Sequence, residues 1–352
     1  MKSQIITLLL VVVACFCVER NQVANTITEY EGYKFGELYD NNNTHVMEDN
    51  KTPDHHGYEP PCPDAGDITP CACTYDSEVN AMDLDCSKVE SEDQLRQIFK
   101  ADFPSKNFTK FNLQHNKHVT VLESSIFNGV SFEVITVYNN ELEVIEVNAL
   151  DSCYETATYV NFRDNKISAF PFDELSSFSR LDTFGISGNS LNVIPADEFN
   201  GITTLRTLYI QSNTPDIVGS FENLPNLRWI HIGKNDLNTI PTNFINTGSS
   251  HLALISLTSN YINSVEPGAF DMVEKLTIEL TSNSLSTIEE TTWRPLFKAG
   301  VNIFAGENPL LCGCDIAWLF GEDQLLGQVS EETTCVDGAY LHKLDPSIFD
   351  DC

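Results

Sequence analysis

The chain has 352 residues, of which 41% are apolar, 51 are acidic and 20 are basic, giving a formal charge of −31. A field this negative repels DNA, RNA and anionic lipid, so no nucleic-acid or membrane-surface partner is expected. The apolar share is ordinary for a chain with a packed core, and the charge keeps such a chain soluble.

At the amino end Lys2 precedes an apolar run from Ile5 to Val13, the length of a signal-peptide core and too short to span a bilayer. Residues 1–17 are read as a signal peptide cleaved near Cys15-Phe16-Cys17. No second apolar run long enough to span a membrane follows, so a secreted, extracellular product is expected. Residues 18–61 are polar and acidic, contain Asn41-Asn42-Asn43 and follow neither a strand nor a helix period, which reads as a disordered acidic leader. His55 and His56 beside Asp54 are solvated polar residues in this reading. Acceptor sequons at Asn42, Asn50 and Asn107 suit a glycosylated secretory product.

Of the 11 cysteines, Cys15 and Cys17 leave with the signal and Cys153 stands alone. The other eight form two clusters. Cys62, Cys71, Cys73 and Cys86 fall in a segment 62–107, and Cys312, Cys314, Cys335 and Cys352 fall in a segment 300–352 that also carries a last strand. Four cysteines permit three connectivities, and spacing does not choose among them. Cys153 occupies a position where an apolar residue should face the core, so a buried thiol is expected there.

Between the clusters, residues 108–299 repeat the pattern L-x-x-L-x-L-x-x-N about eight times. The asparagine recurs at Asn116, Asn140, Asn165, Asn189, Asn213, Asn235, Asn260, Asn283 and Asn308, on average about 24 residues apart. Apolar positions before it, such as Leu227, Ile230 and Ile232, form a short strand. Those after it, such as Leu237, Ile240 and Phe244, close the coil. Each coil offers apolar faces that only its neighbours can cover, so stacking makes the core and the two ends need caps. The asparagine turns inward at the bend, where its amide satisfies backbone groups that the bend leaves unpaired. All nine are therefore structural rather than ligand sites. The fold class expected is an α/β-type leucine-rich-repeat solenoid, curved, with a parallel concave sheet, a mostly irregular convex side and cysteine-rich ends.

No catalytic, cofactor-binding or metal-ligating constellation is found: H-E-x-x-H, G-x-S-x-G, the P-loop and G-x-G-x-x-G after a strand are all missing. His115 and His118 flank the first ladder asparagine and are read as surface histidines. Strand alternation instead points to the concave face, where outward positions carry Tyr138, Tyr159, Tyr209, Trp229 and His231, joined by Arg163, Arg206, Arg228 and Lys234. Trp, Tyr and Arg dominate interface hot spots, because they combine large contact area with a polar handle. The band is thus a candidate surface for another secreted protein, with Trp229 at its centre and Tyr209 and Tyr159 beside it. Cross-strand packing between the same side chains is the alternative use of such a band.

The segment Asn308-Pro309-Leu310-Leu311-Cys312-Gly313-Cys314-Asp315-Ile316-Ala317-Trp318-Leu319 resembles the carboxy-terminal cap of extracellular leucine-rich-repeat proteins, N-P-x-x-C-x-C-x-x-x-W-L. That resemblance implies disulfide caps paired first with third and second with fourth: Cys62 with Cys73, Cys71 with Cys86, Cys312 with Cys335, and Cys314 with Cys352. More narrowly, Pro70-Cys71-Ala72-Cys73, Leu84-Asp85-Cys86-Ser87, Leu95 with Ile98-Phe99, and Asn165-Lys166-Ile167-Ser168-Ala169-Phe170-Pro171-Phe172 resemble the arthropod family related to the non-catalytic subunit of Oplophorus-luciferin 2-monooxygenase. This likeness covers about residues 60–320. It implies a secreted, non-enzymatic protein-binding or stabilising subunit, accessory to a luciferase-type monooxygenase. The alternative is a free extracellular recognition protein of the matrix or innate-immune kind, with a protein or glycan ligand.

Overall fold

The computed structural model describes residues 61–271, 273–321 and 325–352. The expected signal peptide, the leader and the sequons Asn42 and Asn50 lie outside them. The described chain is a leucine-rich-repeat solenoid built on one eleven-stranded sheet, whose strands neighbour one another in chain order. These strands are β1 (Ala72–Asp76), β2 (Ala81–Asp85), β3 (Asn107–Gln114), β4 (Ser131–Tyr138), β5 (Tyr159–Asn161), β6 (Thr183–Gly185), β7 (Thr207–Tyr209), β8 (Trp229–His231), β9 (Leu254–Ser256), β10 (Thr277–Glu279) and β11 (Asn302–Phe304). Only β1 and β2 pair antiparallel; every later pair is parallel, one strand per coil.

The core follows from the repeat. In each coil the alternate strand residues point inward, as Ile230 does between half-buried Trp229 and His231. Behind the sheet, phenylalanines from successive coils touch. Phe172, Phe199, Phe221 and Phe244 run in sequence with ring centroids 5.8, 5.9 and 5.8 Å apart. Buried rings at this spacing add edge-to-face attraction to a burial term of about 1.5–3 kcal/mol per side chain. The flanks carry two- and three-residue parallel pairings, such as Val193–Pro195 with Asp216–Val218 and Thr239–Ile240 with Ser264–Val265, and in three coils a short 3-10 helix, at Asp151–Cys153, Phe172–Ser177 and Ala196–Phe199.

Asn235 shows how the ladder works. Its Nδ2 donates to the Ile210 carbonyl of the preceding coil at 3.3 Å and to Ile232 of its own coil at 2.8 Å, while its Oδ1 accepts the Asn213 N–H at 2.9 Å. One amide thus ties two coils together and pairs groups that would each cost about 1–3 kcal/mol if left buried and alone. Eight ladder asparagines are buried; Asn189 is half-buried, although its Nδ2 still reaches Phe162 and Ile186 carbonyls at 2.9 Å. The residue before each asparagine has a left-handed backbone, with φ from 54° to 65° at His115, Asn139, Asp164, Gly188, Ser212, Lys234, Ser259, Ser282 and Glu307. This sharp turn aims the next side chain inward. Its cost for a residue with a Cβ is borne by the hydrogen bonds it makes possible.

Disulfides close both ends. Cys62–Cys73 and Cys71–Cys86 hold the amino-terminal hairpin, with Cα separations of 5.8 and 4.2 Å; Cys312–Cys335 and Cys314–Cys352 hold the carboxy-terminal segment, at 5.7 and 5.3 Å. A helix at Glu92–Ile98, capped by Ser91 Oγ accepting the Gln94 N–H, seats Leu95, Ile98 and Phe99 on the first coil. At the other end the helix Glu290–Lys298 buries Trp293 and Phe297, and the indole N–H of Trp318 donates to the Ile288 carbonyl at 3.0 Å. Cys153 is fully buried and unbridged. Burial pushes its thiol up to about 11, which keeps it protonated and unreactive.

Candidate functional site

The concave residues are positioned by strand register. Trp229 on β8 lies level with Thr207 on β7 and Leu254 on β9. Tyr209 lies level with His231 on β8, and Gly185 occupies the same level on β6. Tyr159 lies level with Thr183, so two threonine-bearing strands separate it from Trp229. The continuous aromatic band expected from alternation therefore divides into two patches. Alternation fixes which face a side chain takes, but lateral neighbours are set by register, and that places small residues at Thr183, Gly185 and Thr207.

The larger patch holds Trp229, Tyr209, His231, Arg206 and Arg228. The rings of Tyr209 and His231 stack with centroids 4.6 Å apart and planes 12° from parallel. Burial holds the His231 imidazole down to about 4, so the ring is neutral at physiological pH, and burial also raises the Tyr209 phenol above its ordinary value. Arg228 places its guanidinium 6.0 Å from the Trp229 ring centroid, within cation–π reach. Arg206 is paired with Asp182 of the preceding coil at 3.0 Å. The result is an aromatic floor with one exposed cation lying over the indole and a second held by a carboxylate at the edge.

The smaller patch lies towards the amino end. Arg163 sits 5.0 Å from the Tyr138 ring centroid, and the His115 ring meets Tyr138 edge-on with centroids 5.9 Å apart. Tyr159 accepts an N–H from Asn161 Nδ2 at its phenol oxygen, 3.2 Å away, between the two patches. Lys234 is not a strand residue: it occupies the left-handed turn immediately before Asn235 and is exposed at the rim. Asn107 is exposed at the start of β3, where its Oδ1 accepts from Ser131 Oγ at 2.9 Å.

Two participants were missed by sequence reasoning. Leu254 extends the apolar floor beside Trp229; its place before Ile255 in the L-x-x-L-x-L pattern was the signal that it faces outward. His115 joins the smaller patch because the left-handed turn swings it toward Tyr138, and no sequence pattern announces that. Among the described residues no cluster of three His, Cys, Asp or Glu side chains is arranged to hold a metal, and no helix is long and apolar enough to cross a membrane.

A family model described as "Leucine rich repeat" matches residues 179–237, and one described as "BspA type Leucine rich repeat region (6 copies)" matches residues 218–295. The chain is 28% identical over 314 residues to the "Oplophorus-luciferin 2-monooxygenase non-catalytic subunit" of Oplophorus gracilirostris, a match spanning 82% of this chain and 87% of that one. Among solved structures it is similar to a chain of the Drosophila Toll–Spatzle complex, with TM-score 0.56, 20% identity, and coverage of 70% of this chain and 36% of that one. It is also similar to a chain of the TLR13–ssRNA13 complex, with TM-score 0.53, 22% identity, and coverage of 63% and 31%. The chain thus spans about a third of each of those two solved chains, and the likeness to them is one of fold. With its repeats, its ladder and its two pairs of end disulfides, the chain is a leucine-rich-repeat solenoid closed by disulfides at both ends, and along most of its length it is similar to the Oplophorus non-catalytic subunit.

Proposed function

We propose that this chain is a secreted, non-catalytic subunit that holds and stabilises another secreted protein on its concave face, as an accessory to a luciferase-type monooxygenase. The observation that carries this reading is the patch around Trp229. A half-buried indole lies under an Arg228 guanidinium and beside Leu254, next to the Tyr209–His231 stack, and Trp, Tyr and Arg are the residue types that anchor protein interfaces. The similarity to a subunit named as non-catalytic, across most of both chains, supports the accessory role. Cofactor and metal have no part in it. The charge of −31 argues against nucleic acid as the partner here, although one solved neighbour is a complex with single-stranded RNA.

In the same proposal residues 1–17 are removed on secretion and residues 18–61 form an acidic leader. Segments 62–107 and 300–352 cap the repeats of 108–299, and Asn107 carries a glycan through its Nδ2 while Oδ1 keeps the Ser131 bond. Purification of the native protein from its secretion under mild conditions tests the reading. A stoichiometric, smaller protein that co-elutes supports it. A monodisperse chain with no companion contradicts it and favours a free recognition protein.

A further inference from the structure

The smaller aromatic patch opens towards the amino-terminal cap onto a recess of about 340 Å³, whose lining includes Ser87, Lys88, Glu90, His115, Lys117 and His118. Lys88, Lys117, His115 and His118 are all exposed, and they converge from two adjacent coils: the segment after β2 and the turn after β3. In a chain with 51 acidic and 20 basic residues, two lysines against one lining carboxylate, Glu90, concentrate positive charge on one small concavity, and the two histidine rings add polar N–H groups beside them.

The carboxylates just outside the recess keep their charge, and their oxygens are held by other groups. Asp85 accepts the Ser87 N–H at 2.8 Å, and Glu92 accepts both the N–H and the hydroxyl of Thr120, at 2.7 and 2.9 Å. Glu141 is ion-paired with Lys166. Glu90 is the one carboxylate lining the recess itself. His115 is also oriented: Asn139 Nδ2 donates to its Nδ1 at 2.8 Å, which puts the ring proton on Nε2 as a donor, and the Tyr138 edge contact fixes the ring plane.

We propose that this recess is an anion-binding site for a single tetrahedral oxyanion, a sulfate or phosphate group, distinct from the Trp229 surface. Its size suits one such group with the small residue that bears it, and the negative field of the remaining molecule turns away an extended polyanion. Lysine ammonium groups bind such an ion as point charges and the histidine N–H supplies direction, in charge-assisted hydrogen bonds. The shared chemistry admits two sources: the free ion, or a sulfated or phosphorylated sugar.

The test follows the histidine ring resonances by NMR in the full secreted chain. Sodium sulfate, sodium phosphate and glucosamine 6-sulfate are titrated in turn, with ionic strength held constant by chloride. Saturable shifts at His115 and His118 are expected, weakened roughly tenfold or more in Lys88→Gln/Lys117→Gln. They should persist in Lys275→Gln/Lys298→Gln, which removes the same charge from the carboxy half. Tighter binding of the sulfated sugar than of inorganic sulfate identifies a glycan as the source; equal binding identifies the free ion. Shifts that do not saturate, or that are equal in both double variants, overturn the site. A thermal melt of each variant shows that the fold is intact, and the partner-binding assay on Trp229 is independent of either result.

Discussion

The imidazole of His231 lies against the phenol ring of Tyr209, 4.6 Å between centroids and 12° from parallel, across the boundary between two adjacent coils. The contact fixes both rings upright on the concave floor and removes much of the histidine from water. An imidazolium at that position would lose hydration without a carboxylate to compensate, which is why the ring is held neutral down to about pH 4.

A pH dependence follows. Folded His231 titrates at about 4 against 6.5 unfolded, so between these values the unfolded chain binds the extra proton. Its contribution to stability is fully present above the unfolded value and is lost as the pH falls towards 4, at about 1.4 kcal/mol per unit at most. Thermal melts of the wild type and His231→Asn from pH 8 to pH 4 should therefore converge as the medium becomes acidic. A constant difference between the two across that range would show that burial does not govern this histidine.

Gly233 precedes the left-handed Lys234. A Cβ added at Gly233 would meet the Thr258 carbonyl oxygen of the next coil at 2.7 Å, and that atom is backbone. Gly233→Ala should destabilise the chain by about 1–3 kcal/mol through overpacking between coils. Gly201→Ala meets nothing within 4 Å but sits at φ 84°, so it carries a conformational cost alone and should lose less. Chemical denaturation of both variants checks the order; an undiminished midpoint for Gly233→Ala would refute the tight inter-coil fit.

The caps and the lone cysteine should behave oppositely. Cys335→Ser opens the bridge to Cys312 beneath the last coil, and losing a native bridge commonly costs about 2–5 kcal/mol. Secretion should fall sharply. Cys153, fully buried with its thiol pushed up to about 11, should resist thiol reagents in the native protein and react only on unfolding. Normal secretion of the first variant, or rapid native labelling of the second residue, would count against these assignments.

The solenoid was legible in the sequence because its signals are both periodic and chemically unusual. A polar Asn235 or Asn260 at a fixed offset from an apolar triplet has few uses except to pair buried backbone. The left-handed residue before each asparagine was not legible, since His115, Gly188, Lys234 and Glu307 share no side-chain chemistry; the turn imposes their conformation from outside. The tenth strand shows a related difficulty. Lys275 stands where the first leucine of the pattern belongs, and Leu276 packs in its place. That Trp229 and Tyr209 face the concave side could be read from alternation, whereas the Thr207 and Leu254 that flank the indole could be placed only by register between coils. The disulfide pairs came with the family resemblance and not from spacing, because four cysteines on a short stretch leave their connectivity open.

The central claim, that the concave patch around Trp229 holds a protein partner, is tested most directly by Trp229→Ala. The indole stands on the outer face of β8 between Thr207 and Leu254, so its removal takes contact area from an interface without opening the core behind Ile230. Affinity for the co-purified partner and the melting temperature of the isolated chain should be measured on the same preparation. A loss of about 2 kcal/mol or more in binding, roughly 30-fold, with the melting temperature little changed is the predicted result. Unchanged affinity with a lowered melting temperature would contradict it, and would make the aromatic patch a packing ladder between coils.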